Sequence, residues 1–138
     1  MDESRLDGIP LFAGLSKRQR ARLARHMREV DLAEGEHLVD EGEFSYDFFV
    51  ICKGSAAVIS SGRHVTDLEA GDFLGEIGLL NQRARTASVI ATSRISALVM
   101  PGETFHKMAT SMPEVAKEIQ AAMEERLERD RLFGLGRD

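Results

Sequence analysis

Glycine spacing is the strongest constraint on what this chain can fold into. Between residues 35 and 71, glycines fall at positions 35, 42, 54, 62 and 71. The runs between them are short and either apolar or alternating: His37-Leu38-Val39, Asp47-Phe48-Phe49-Val50-Ile51, Ser55-Ala56-Ala57-Val58-Ile59 and His64-Val65-Thr66-Asp67-Leu68. Short runs closed by turn residues at this interval predict an antiparallel barrel or sandwich. Phe48-Phe49-Val50-Ile51 is apolar on both faces, which predicts a central strand. Gly75 to Leu80 breaks the pattern with a brief helical segment. Strands resume at Ala87-Ser88-Val89-Ile90-Ala91 and Ile95-Ser96-Ala97-Leu98-Val99.

The flanks read as helices. Ser16 and Gln19 have capping-box spacing, so a helix should begin near Lys17. Leu23, Met27 and Val30 recur at helical intervals and predict its buried stripe. Pro101-Gly102 closes the last strand, and Glu103 to Met108 reads as a short helix. Ser111 with Glu114 gives a second capping pair, and Pro113 suits a first helical turn. Val115, Ile119, Met123 and Leu127 follow at steps of four, so the last helix should reach about Phe133 and stop at Gly134. The expected architecture is mainly β with flanking helices: an antiparallel β-roll, a jelly-roll-like barrel, in one domain over 1–138. Residues 1–34 form an N-terminal helical segment, 35–100 the β-roll, and 101–138 the C-terminal helices.

At 138 residues the chain is of ordinary size for one domain. Its apolar share of 43% and charged share of 30% suit a globular protein. No apolar run approaches the ~20 residues that span a bilayer. The N-terminus, Met1-Asp2-Glu3-Ser4, lacks a basic-then-apolar signal region, and the single cysteine, Cys52, suits a reducing compartment, so a cytoplasmic protein is expected. The net charge of −5 argues against a general nucleic-acid binder. Charge is nonetheless uneven. Lys17, Arg18, Arg20, Arg22, Arg25 and Arg28 fall within residues 16–28 with no acid among them. Such a basic helix can dock an acidic partner or a membrane surface, or can simply be a solvated face.

The chemically informative stretch is 71–89, from Gly71-Asp72-Phe73-Leu74-Gly75-Glu76-Ile77 to Arg85-Thr86-Ala87-Ser88-Val89. Gly75 permits a tight turn into a short helix. The first amides of such a helix have no intrahelical partner and attract an anion. Arg85, nine residues after Glu76, can return to the same pocket, and its planar, permanently charged guanidinium suits a phosphate. Glu76 is an acceptor that would repel phosphate but would bond a sugar hydroxyl beside it. The pattern therefore suggests a phosphorylated sugar. The same two residues could equally satisfy each other as an ion pair.

This stretch resembles the phosphate-binding cassette of the cyclic nucleotide-binding domain family, found in regulatory subunits of cAMP-dependent kinase, gated channels and catabolite activator proteins. Gly75-Glu76-Ile77-Gly78-Leu79-Leu80 and Arg85-Thr86-Ala87-Ser88-Val89 match the cassette, with the kinase subunits' Glu-to-Arg gap. Gly35-Glu36, Glu41-Gly42-Glu43, Phe48-Phe49-Val50-Ile51 and Gly54 resemble the family's first hairpin. Ile9-Pro10-Leu11-Phe12 with Leu15-Ser16 resembles its N-terminal helical segment, and Phe105, Met108, Pro113 and Val115 resemble its entry to the C-terminal helices.

The resemblance implies that Glu76 accepts from the ribose 2′-hydroxyl and Arg85 pairs with the cyclic phosphate. Gly75, Ile77 and Ala87 would offer backbone groups, and Thr86 its hydroxyl. In the family a hydroxyl at that position loosely accompanies cGMP tolerance. Ala84 departs from the proline many members carry, which should leave the loop less rigid. The last helix often supplies a purine lid, for which Arg126, Leu127, Arg129, Leu132 and Phe133 are candidates. Each also reads as helix packing or a solvated charge.

Other chemistry finds little support. The histidines at 26, 37, 64 and 106 form no His-x-His or His-Glu-x-x-His motif, so a metal-binding cupin is a poor match. The family includes a haem-binding regulator, and His37, Cys52 and His64 could meet across strands, but isolated residues are the reading preferred. Asp72 and Glu76 are four apart, yet nothing nearby supplies a nucleophile, and Asp72 is expected to bond its own turn. The expectation is a non-enzymatic sensor for cAMP or cGMP, without metal or cofactor, signalling through its C-terminal helix. No helix-turn-helix or other DNA-binding element is visible, so the chain is either a stand-alone sensor acting on a partner protein or a piece of a longer chain, and a homodimer is one expected assembly. The alternative is an interaction domain of the same fold that binds no nucleotide and docks through residues 16–28.

Overall fold

The computed structural model describes residues 6–43, 47–74 and 87–132. After a short 3-10 helix at Pro10–Phe12 comes α1, Lys17–Ala24. Eight strands follow: β1 Arg28–Leu32, β2 His37–Val39, β3 Phe48–Lys53, β4 Ala56–Ser60, β5 Arg63–Leu68, β6 Phe73–Leu74, β7 Ser88–Ala91 and β8 Ile95–Met100. Helices α2, Gly102–Ser111, and α3, Pro113–Leu132, complete the described chain.

The strands form two antiparallel four-stranded sheets, ordered β1-β8-β3-β6 and β2-β7-β4-β5. Between them lies one apolar cluster, which includes Val39, Val58, Leu68 and Val89 from the second sheet and Ile51, Leu74, Ile95 and Ala97 from the first. A second cluster covers the other face of the first sheet. There Phe48, Val50, Phe73, Leu98 and Met100 pack with Phe12, Leu15, Leu23, Met108, Val115 and Ile119. The first sheet is thus buried on both faces. Phe48 and Val50 point to the helices, while Ile51 and the half-buried Phe49 point between the sheets. This is why residues 48–51 of β3 and 97–100 of β8 read as unbroken apolar runs rather than alternating ones. The Phe48 and Phe73 rings meet at 5.8 Å on the helical side.

All five glycines read as turn markers have positive φ. The β4–β5 hairpin turns on Ser61 and Gly62, at φ 51° and 78°, between the paired Ser60 and Arg63. Two successive left-handed residues match the twist of the flanking strands. Gly54, at φ +97°, brings β3–β4 against the β7–β8 turn so closely that a Cβ there would lie 2.3 Å from the Arg94 carbonyl oxygen.

Several expectations are corrected. The Ser16–Gln19 capping box is present in both directions, but α1 ends at Ala24. Met27 lies after the helix, and Val30 lies on β1. On this strand Val30 and Leu32 pack toward the intersheet cluster while Glu29 and Asp31 are exposed, the period of a strand. The β-roll therefore starts at Arg28, within the 1–34 segment expected to be helical, and basic residues 16–28 are a helix plus the first residue of a strand. Ser111 does not cap α3. It ends α2, which outruns the expected stop at Met108, and its hydroxyl donates to the Lys107 carbonyl at 3.1 Å. Pro113 opens α3 as expected. β6, Phe73–Leu74, is a strand beyond those the sequence predicts. Gly134, proposed as the stop of α3, lies outside the described residues.

Candidate functional site

Of the ligand-binding candidates, Gly75, Glu76, Ile77, Arg85 and Thr86 lie outside the described residues, and Ala87 lies within them. The purine-lid candidates Arg126, Leu127, Arg129 and Leu132 fall on α3, where their side chains are outside the described set, as is all of Phe133. What the structure does define is the frame at both ends of residues 75–86.

The entering end is β6. It pairs with β3 through Phe49↔Leu74 and Val50↔Phe73 at the edge of the first sheet. The Gly71 amide donates to the Ile51 carbonyl at 2.8 Å, and the Ile51 amide to the Asp72 carbonyl at 2.9 Å. The Asp72 carboxylate accepts from the Glu69 amide at 2.8 Å, closing its own turn as the sequence predicts. This is the turn-forming role the sequence predicts for it.

The leaving end is Ala87, 4% exposed, followed by β7 between β2 and β4 in the second sheet. Ser88 Oγ accepts from the Glu41 amide at 2.9 Å, and Glu41 Oε1 accepts from the Ser61 amide at 2.9 Å. Glu41 thus joins the start of β7 to the β4–β5 turn. Sequence reasoning placed Glu41 only in a hairpin. The available signal was its position beside Gly42, but a contact across 47 residues leaves no local trace.

The other candidate groups do not converge. His37 Nδ1 contacts Asp40 Oδ1 at 2.6 Å and His64 Nε2 contacts Asp67 Oδ1 at 2.7 Å, each within its own exposed stretch. His37 and His64 lie on β2 and β5, opposite edges of the second sheet, while Cys52 lies on β3 of the first and packs toward the helical cluster. They do not form one site. Among the described residues, no group of three His, Cys, Asp or Glu could hold a metal ion. No helix among them is long and apolar enough to cross a membrane.

Known proteins give this frame a family. The cyclic nucleotide-binding domain matches residues 29–111. A cAMP-dependent protein kinase regulatory subunit of Hypocrea atroviridis is 30% identical over 108 residues, 78% of this chain and 23% of its own. A cyclic nucleotide-gated potassium channel of Rhizobium etli is 30% identical over 118 residues, 86% of this chain and 33% of its own. The chain spans about a quarter of the length of the kinase regulatory subunits it matches. Among solved structures, the N-terminal domain of a transcriptional regulator from Streptomyces coelicolor A3(2) is 28% identical with a TM-score of 0.74, covering 94% of both chains. The Toxoplasma gondii PKA regulatory domain, solved with cAMP, is 26% identical with a TM-score of 0.72, over 89% of this chain and 48% of that one. With its double-sheet roll, its flanking helices and a family match over most of its length, this chain belongs to the cyclic nucleotide-binding domain family.

Proposed function

We propose that residues 1–138 are one regulatory domain that binds cAMP or cGMP and catalyses no reaction. Arg85 pairs with the cyclic phosphate, and Glu76 accepts from the ribose 2′-hydroxyl. Gly75, Ile77 and Ala87 contribute backbone groups, and Thr86 its hydroxyl. The observation that carries this reading is the burial of Leu74 and Ala87 in the same intersheet cluster. Glu76 follows Leu74 by two residues and Arg85 precedes Ala87 by two, so both are close in sequence to one buried apolar wall between the sheets, which supports a shared site with a charged and an apolar side.

Signalling is assigned to the end of α3. Val115, Ala116 and Ile119, in its first half, are buried with the N-terminal segment. Its second half carries Arg126, Leu127 and Arg129, followed by Phe133. These cover the purine in one state and leave it in the other, a shift between two packings. The effector is a partner protein or a further part of a longer chain. The reading without nucleotide, in which residues 16–28 alone act, shares the fold and predicts no binding.

Two measurements test the proposal. Mass spectrometry of freshly purified protein reads any retained nucleotide, and competition compares cAMP and cGMP with linear 5′-AMP. Cyclic nucleotides should compete far better than 5′-AMP. Equal competition, or none, overturns the reading.

A further inference from the structure

The basic residues of 16–28 separate into two groups with different work. Arg20 is turned inward. Its Nε lies 3.2 Å from Asp7 Oδ1 and its Nη1 donates to the Leu15 carbonyl at 2.5 Å. Lys17, Arg18, Arg22, Arg25 and Arg28 are exposed, and none has an ion pair within 4.0 Å among the described residues. Arg18, Arg22 and Arg25 recur at i, i+4 and i+7 along α1 and its helical C-cap, so they form one row.

This row is unfavourable for the helix by itself. The first turn holds Lys17 and Arg18 and no acid, opposite to what the helix dipole favours. Arg18 with Arg22 and Arg22 with Arg25 are like-charged neighbours at i+4 and i+3, which repel. An anionic partner would relieve both. We propose that this row, extended by Lys17 and Arg28, docks an acidic segment of a partner protein. The proposal stands whether or not residues 75–86 hold a nucleotide.

Two observations favour a narrow acidic segment over an anionic membrane. The apolar residues of α1 that could enter a bilayer, Leu23 and Ala24, are 0% and 1% exposed in the protein's own core. And from Glu29 to Cys52 the chain has eight acids and no Lys or Arg. Glu29 and Asp31 are exposed immediately beyond the row, where a broad anionic plane would meet them too. A segment as wide as the row meets the cations alone. Steps of three and four residues place the Cβ atoms of the row about 5–6 Å apart. An acidic helix with the same spacing presents one carboxylate to each, in the two-pronged geometry arginine favours.

The test is fluorescence anisotropy with a labelled helical peptide carrying glutamates at alternating three- and four-residue spacing. It is titrated with the full chain and with the variants R18E/R22E/R25E and R18K/R22K/R25K. Wild type should bind saturably and more weakly as salt rises. The charge reversal should weaken binding about tenfold or more, and the lysine variant should keep part of it. Circular dichroism checks each fold, and R18Q/R22Q/R25Q replaces the reversal if that variant does not fold. Absence of peptide binding by wild type overturns the proposal, as does equal binding by a folded reversal or glutamine variant. Row-dependent binding to phosphatidylserine vesicles without peptide binding, or row-dependent self-association in sedimentation without it, also overturns it.

Discussion

Leu74 and Ala87 are 1% and 4% exposed in one apolar cluster, although Leu74 ends a strand of the first sheet and Ala87 precedes a strand of the second. The twelve residues between them join the two sheets from two buried positions. The proposed nucleotide binding depends on that relationship, because Glu76 follows Leu74 by two residues and Arg85 precedes Ala87 by two.

Leu74→Ala removes a fully buried side chain from this wall. It should destabilise the domain by about 2–5 kcal/mol. Urea denaturation should show a lowered midpoint with an unchanged slope. An unaltered midpoint would mean that Leu74 is not part of a packed wall.

Gly54→Ala places a Cβ 2.3 Å from the Arg94 carbonyl oxygen at a backbone angle that L-residues rarely adopt. Backbone, not a flexible side chain, has to move. The loss should exceed the roughly 1–2 kcal/mol of the left-handed conformation alone. Gly62→Ala, at φ +78° with open space around it, should lose no more than that conformational part. Thermal unfolding of the two variants side by side separates clash from conformation.

Asp7 and Arg20 are unequal partners. Asp7→Ala should cost about 1 kcal/mol or less, since its side chain is 62% exposed. Arg20→Ala also strips the Leu15 carbonyl of its donor, so it should cost more, about 1–3 kcal/mol. Added salt should shrink the Asp7 effect. Equal losses in both variants would show that the carbonyl bond contributes nothing.

Deleting residues 126–138 leaves Val115, Ala116 and Ile119 in the helical core. The domain should keep most of its stability and lose cyclic nucleotide affinity. Full affinity in the truncated chain would remove the purine-lid role from Arg126, Leu127, Arg129 and Phe133.

Much of the fold was legible because its signals are local. The turn glycines, the two-faced β3 and the Ser16–Gln19 cap each depend on a few neighbouring residues. β1 is hidden in the sequence because Leu23, Met27 and Val30 fall at helical intervals across a boundary, while the Val30–Leu32 alternation beside them is only one period long. β6 has two residues, one facing each cluster, which is too short for any periodicity. At the site, the sequence offers Gly75, Glu76 and Arg85 as chemistry and spacing, and all three lie outside the described residues. The burial of Ala87 and the Glu41–Ser88 bond were not, because they arise from strands brought together from distant parts of the chain.

The most direct measurement is isothermal titration of cAMP and cGMP into wild type and Arg85→Ala. Wild type should bind at least one of them at a single site. The variant should lose about 2–3 kcal/mol or more, as removal of a charged hydrogen-bond partner does. No binding by wild type, or an unchanged affinity in a folded Arg85→Ala variant, would contradict the account.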